Sequence, residues 1–175
     1  AYIDRRLGLI VVDASTAKQA EELLSLLRET LGSLKVTPLT VARSPAAVLT
    51  GWLEKRPAAG FSLADERELR EPVDHGAVVR GRRIDLAGGD VEPHVAGGMQ
   101  VSRIAVEWQD RIACVIGDDL GLRRLRFLDV VLDDITDADS DDELARFDAD
   151  FVLMVMELGR FIPEVIKAFG GLEDD

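Results

Sequence analysis

Residues 101–127 constrain the fold more than any other stretch of this chain. They read VSRIAVEWQDRIACVIGDDLGLRRLRF, three short β-prone runs divided by turn formers. In 101–108, Ile104, Val106 and Trp108 alternate with Arg103, Ala105 and Glu107, the period of a strand with one buried face and one wet face. Residues 112–116 are apolar throughout, as a central strand requires. In 123–127 the alternation returns, with Leu125 and Phe127 expected inward and Arg124 and Arg126 outward. Gln109-Asp110 and 117–121 (GDDLG) are tight-turn sequences, so the three strands form an antiparallel meander. The apolar face of such a sheet must be covered, and the remaining chain supplies helices to cover it.

Residues 7–12 (LGLIVV) are continuously apolar and predict a strand buried on both faces. Thr16 opens a helix with Gln19 as its capping-box partner. Ala20, Leu23, Leu24, Leu27 and Leu31 form its apolar stripe, and Gly32 ends it. Residues 36–41 predict a second strand, with Pro38 marking an edge. Ser44-Pro45 starts a helix running to about Arg56, before Pro57. The charge-rich stretch 57–76 predicts one short helix and loops. Residues 77–86 predict a strand containing Arg80, Arg82 and Arg83, with Gly81 a candidate bulge, and 88–98 a short helix or loop. Ser140 with Glu143 forms a second capping box behind an aspartate-rich approach. Leu144, Phe147, Phe151, Met154, Leu158, Phe161 and Ile162 then make one apolar stripe, with a kink or restart at Pro163 and an end at Gly170-Gly171. The expected class is α+β: an antiparallel meander with packed helices and a long C-terminal helix. Three segments are expected: an α/β part (1–75), an arginine-bearing antiparallel sheet (76–127) and an acidic helical part (128–175).

Charge divides along the same lines. The chain of 175 residues carries a net charge of −12, which by itself argues against nucleic acid. Residues 1–75 hold 10 basic and 11 acidic side chains, 76–127 hold 8 and 7, and 128–175 hold 3 and 15. The acidity therefore belongs to the last segment, and all eight bases of the middle segment are arginine. No apolar run is long enough for a membrane helix, and no secretory signal is present. One cysteine, Cys114, fits a reducing cytoplasm. The chain begins Ala-Tyr-Ile-Asp without an initiator Met, which reads as a fragment or a processed chain.

The sequence offers little for catalysis. His75 and His94 are isolated in loop-like surroundings, and Cys114 reads as a small buried hydrophobe. No glycine loop has phosphate-cradling spacing, and no serine sits in a nucleophile elbow. Asp118-Asp119 is a Mg²⁺ candidate, but a hairpin turn uses the same residues. Asp148 and Asp150 read as helix-surface residues, and Trp52 and Trp108 as core rather than base-stacking platforms. The expectation is a protein that is not an enzyme, with no cofactor and no metal. Arg80, Arg82, Arg83, Arg103, Arg124 and Arg126 all fall on expected strands of one sheet. A sheet with one apolar and one arginine-bearing face can track DNA phosphates. The bland alternative is a solvated face paired with Asp85 and Glu107.

Several stretches in order carry a resemblance: Tyr2-Ile3-Asp4 with 8–13 (GLIVVD), 14–33 (ASTAKQAEELLSLLRETLGS), 34–39, Trp52, Gly60-Phe61, 78–86 (VVRGRRIDL), 103–112 (RIAVEWQDRI), 122–127 (LRRLRF), 147–151 (FDADF), Leu153-Met154 and Gly170-Gly171. Together they resemble the C-terminal portion of the RdgC family of recombination-associated proteins. The resemblance implies a non-catalytic, nucleoid-associated cytoplasmic protein. Such a protein would be a ring-shaped homodimer binding single- and double-stranded DNA in a basic hole with little sequence preference. It would oppose RecA-promoted recombination. The family's hole-lining bases match at Arg82 and Arg83 and less closely at Arg103. Ile84 and Met99 depart from the family pattern, where a polar residue and a lysine occur. The resemblance also implies an N-terminal portion that this sequence lacks. Two other classes remain open, a Mg²⁺-dependent nuclease using Asp118 and Asp119, and a protein-interaction module whose acidic C-terminal helix mimics DNA.

Overall fold

The computed structural model describes residues 1–71, 78–82, 95–132 and 142–173. The chain divides into two compact units, Ala1–Leu39 and Thr40–Asp175.

In the first unit, β1 (Tyr2–Asp4) and β2 (Leu9–Val11) form an antiparallel hairpin. Asp4 sets the turn, its buried carboxylate accepting the N–H groups of Arg6 (2.9 Å) and Leu7 (3.1 Å). Helix α1 (Ala17–Leu31) begins where expected, Thr16 accepting the Gln19 N–H, and ends at Gly32 with φ +76°. Two expectations fail here. The strand at 7–12 is not buried on both faces: β2 (Leu9–Val11) is half-buried throughout. No residue of α1 is buried, so its leucine stripe is not a core. The strand expected at 36–41 is also absent. Only Val41 forms a bridge, to Leu172, and Pro38 offers no N–H for a ladder.

The second unit is built on a five-stranded sheet in the order β4-β3-β5-β6-β7, every neighbour antiparallel. Its strands are β3 (Phe61–Arg70), β4 (Val78–Arg82), β5 (Gln100–Trp108), β6 (Ile112–Gly117) and β7 (Leu122–Phe127). The meander β5-β6-β7 matches the sequence expectation. Gln109 and Asp110 take φ of 48° and 55° in the first turn, the backbone that a two-residue hairpin demands. The strand β3 was not expected, since 57–76 reads as helix and loops. A register shift between Leu63 and Arg67 breaks its period of two, and charged residues fill one face, so alternation is hidden in the sequence. The short helix α3 (Asp129–Leu132) follows β7.

One face of this sheet carries Phe61, Leu69, Val101, Ile104, Val106, Trp108, Ile112, Cys114 and Ile116, all buried. Helices α2 (Pro45–Glu54) and α4 (Glu143–Ala168) cover it. Trp52 of α2 lies 5.3 Å from the ring of Phe61, and Phe161 of α4 lies 5.4 Å from that of Trp108. Thr50 accepts the Val101 N–H at 3.0 Å, fixing α2 to the start of β5. Helix α2 is capped by Ser44 as expected and stops at Glu54. Helix α4 is capped by Asp142, which accepts the Leu144 N–H, whereas Ser140 lies outside the described residues. The expected restart at Pro163 does not occur: the helix runs through it, with buried Phe161 and Val165 on either side. The apolar stripe of α4 splits. Leu158, Phe161 and Val165 join the core, while Leu144, Phe147 and Phe151 are exposed, the two phenylalanines stacking on each other.

Candidate nucleic-acid interface

The opposite face of the sheet is the one that α2 and α4 do not cover. Strand register places residues there in rows: Ser62, Glu107, Ala113 and Arg126 in one, Ala105, Val115 and Arg123 in another, Glu68, Arg103 and Gly117 in a third. Three arginines from β5 and β7, Arg103, Arg123 and Arg126, thus belong to this side, Arg70 joins them from β3, and Arg124 reaches Glu66 of β3 from the irregular point of β7.

Most are held by carboxylates. Glu68 is buried at 6% exposure and accepts from the Ser102 hydroxyl at 3.3 Å, with Arg70 at 3.5 Å and Arg103 at 3.9 Å. Arg123 forks onto both oxygens of Asp119, one contact at 2.9 Å. Those hydrogen bonds pull the Asp119 carboxyl down to about 2 and push the guanidinium up. Arg124 sits at the irregular point of β7, with φ +51° in the left-handed region, and its Nη1 pairs with Glu66 of β3. Two strands, β5 and β6, lie between those partners, so this ion pair crosses the open face. Arg126 is exposed and makes no ion pair with a described residue.

The six arginines singled out by sequence therefore fare differently. Arg103, Arg124 and Arg126 lie on the open side of one sheet. Arg80 and Arg82 occupy β4 positions in register with Glu68 and Glu66, and the ladder passes Gly81 without a shift, so the expected bulge is absent. Arg83 lies outside the described residues, as do Asp85, Ile84, His75 and His94. Sequence reasoning missed Arg70 and Arg123, and with them the carboxylates Glu66 and Glu68; it singled out Asp119 for Mg²⁺ or a turn, not as the partner of Arg123. Arg70, Glu66 and Glu68 were hidden because β3 was not recognised. Strict alternation in β7 turned Arg123 inward, whereas the register shift between Ala113 and Val115 makes Arg123 and Arg126 the positions paired across the open side.

Other candidates resolve into structure. Asp119 is engaged by Arg123 and by the Gly121 N–H at 3.0 Å, in a turn. Among the described residues no three of His, Cys, Asp and Glu converge. Cys114 is buried, which pushes its thiol up to about 12. Trp52 and Trp108 are core residues, and Met99 is buried. Arg67 is unexpected. It lies on the covered face at 3% exposure, its Nε hydrogen-bonds to nothing, and burial pushes its guanidinium pKa down. No helix among the described residues is long and apolar enough to cross a membrane.

A family model described as "Putative exonuclease, RdgC" matches residues 1–172. The chain is 42% identical over 174 residues to the "Recombination-associated protein RdgC" of Pseudomonas syringae pv. syringae (strain B728a), covering 99% of this chain and 57% of that protein. It is 43% identical over 171 residues to the protein of the same name from Yersinia pestis (strain Pestoides F), covering 97% and 56%. The chain thus spans a little over half the length of the relatives it matches. With nearly every residue inside the family model and identities above 40%, the chain belongs to the RdgC family.

Proposed function

We propose that this chain binds DNA, single- or double-stranded and without sequence preference, through the arginines of the open sheet face. Acting as a homodimer on nucleoid DNA in the cytoplasm, it restrains RecA-promoted recombination by occupying the strand. The observation that carries this reading is the gathering of Arg103, Arg123 and Arg126 on one side of the sheet, opposite the face that α2 and α4 cover, with Arg124 paired to Glu66 of β3. Guanidinium groups match phosphate oxygens in geometry and charge, and phosphate contacts hold a duplex without reading its sequence. The β4 strand adds Arg80 and Arg82 at the next positions of the same sheet, with Arg83 following in sequence. The acidity of 128–175 disfavours DNA elsewhere on the chain and so favours binding at this face. The names of the relatives place the family in recombination.

Charge reversal tests the reading. Arg126→Glu, and separately Arg82→Glu with Arg83→Glu, weaken binding to a labelled duplex while leaving the thermal transition in place. Unchanged affinity at low salt in both removes this face from the DNA. The family description also names an exonuclease, for which Asp118 and Asp119 are the sequence candidates. Incubating end-labelled DNA with Mg²⁺ separates the two. Shortening that disappears in Asp118→Ala overturns the non-catalytic reading.

A further inference from the structure

We propose that Glu66 is an internal competitor for phosphate, setting how much of the open face DNA can use by holding Arg124 across it. This rests on the DNA-binding reading above and concerns the regulation of that same face.

Three kinds of arginine are present. Arg126 makes no ion pair with a described residue and is available to any phosphate that arrives. Arg103 is bound to Glu68, whose carboxylate is only 6% exposed and also takes the Ser102 hydroxyl and Arg70; displacing Arg103 would take one cation away from a buried carboxylate. Arg124 falls between these. Its side chain is 62% exposed and that of Glu66 is 36% exposed, so both can be rehydrated when the pair opens. An exposed ion pair shifts an equilibrium only about 1.4- to 5-fold. A phosphate contact also gains from release of a condensed counterion, so phosphate can win Arg124 from Glu66 at low salt and lose it as salt rises.

The placement is not incidental to sheet geometry. Arg124 stands at the register irregularity of β7 with a left-handed backbone, while Glu66 lies within the β3 stretch where its register to β5 shifts, between Leu63 and Arg67. Their contact bridges over β5 and β6, where a strand of nucleic acid tracking Arg103, Arg123 and Arg126 would have to lie. Glu66 has other contacts besides Arg124, so a test must isolate the Arg124 pair.

The test is equilibrium binding of a fluorescein-labelled duplex to four proteins over a salt series: the parent, Glu66→Gln, Arg124→Gln and the double variant. Thermal melting checks that each is folded. Glu66→Gln should bind about two- to five-fold more tightly at low salt. Its salt slope should be steeper by roughly 0.9, the signature of one added phosphate contact. Arg124→Gln should weaken the parent's binding at low salt, where phosphate engages this arginine, and should abolish the gain in the Glu66→Gln background. If the parent binds but Glu66→Gln binds equally or more weakly, or if its gain survives loss of Arg124, the competitor role is wrong while the DNA-binding reading stands. If neither the parent nor Glu66→Gln binds, the DNA-binding reading falls and this inference with it.

Discussion

Glu157 is the charge on which the covering helix depends. It lies on α4 at 2% exposure, and Arg111, in the β5-β6 turn, grips it with both arms: Nε to Oε2 at 2.7 Å and Nη2 to Oε1 at 2.8 Å. Arg160 adds a third contact at 2.9 Å. Breaking a buried pair by removing one partner costs about 3–5 kcal/mol, since the remaining charge is stranded. The Arg111 side chain is 21% exposed and can recover part of its hydration, so about 2–3 kcal/mol is expected for Glu157→Leu. Adding Arg111→Met should restore part of it, because it removes the guanidinium that has lost the Glu157 carboxylate. Urea unfolding followed by fluorescence of Trp52 and Trp108, both in the core, measures this. A single variant within about 0.5 kcal/mol of the parent refutes the reasoning, as does a double variant no better than the sum of the singles. The same pair has a pH signature. Arg111 holds the Glu157 carboxyl below its ordinary 4.5, so its contribution is complete above that value and lost as pH falls through the lower folded value. The urea midpoint should therefore drop more steeply in acid for the parent than for Glu157→Gln.

Three further outcomes are expected. The Asp119 carboxyl should titrate near 2 by NMR and return toward the ordinary range in Arg123→Gln; a midpoint near 4 in the parent would remove the ion pair. Gly170→Ala should cost about 1–2 kcal/mol in chemical denaturation, because φ is +95° and the new Cβ would come within 2.7 Å of Arg43 Cγ; no loss would mean the loop relaxes freely. Arg67→Met should be neutral or stabilising in the same assay, since it removes a buried guanidinium whose Nε has no acceptor, whereas a loss above about 1 kcal/mol would point to a partner for that charge.

The meander was legible because each of its strands carries a period and each turn carries its own chemistry, as at Gln109-Asp110. The caps at Thr16 and Ser44 were legible for the same local reason. The strand β3 was not, because FSLADERELR spends its polar face on ion pairs and shifts register midway, so its burial depends on partners distant in sequence. The α4 stripe looked uniform from Leu144 to Ile162, yet helical period reports an apolar face without saying whether anything covers it. On the candidate face, strand membership of Arg103, Arg124 and Arg126 was readable. Their inequality was not: what distinguishes a held arginine from an open one is a carboxylate on another strand, and Glu66 and Glu68 lie in the stretch where no strand was expected.

The central claim is that arginines on the open face hold phosphates without reading bases, and a salt series on unrelated sequences tests it most directly. Equilibrium binding of the chain is measured for several duplexes and single strands of different sequence as salt is raised. The account predicts nearly equal affinities at each salt concentration, and a log–log slope near −0.9 for each phosphate engaged on duplex DNA and about −0.7 on single strands. Charge reversal at Arg126 should make that slope shallower by about one contact for every sequence alike. A shallow slope with strong preference for one sequence would contradict the account, since it would mean that base edges, not phosphates, are what the protein holds.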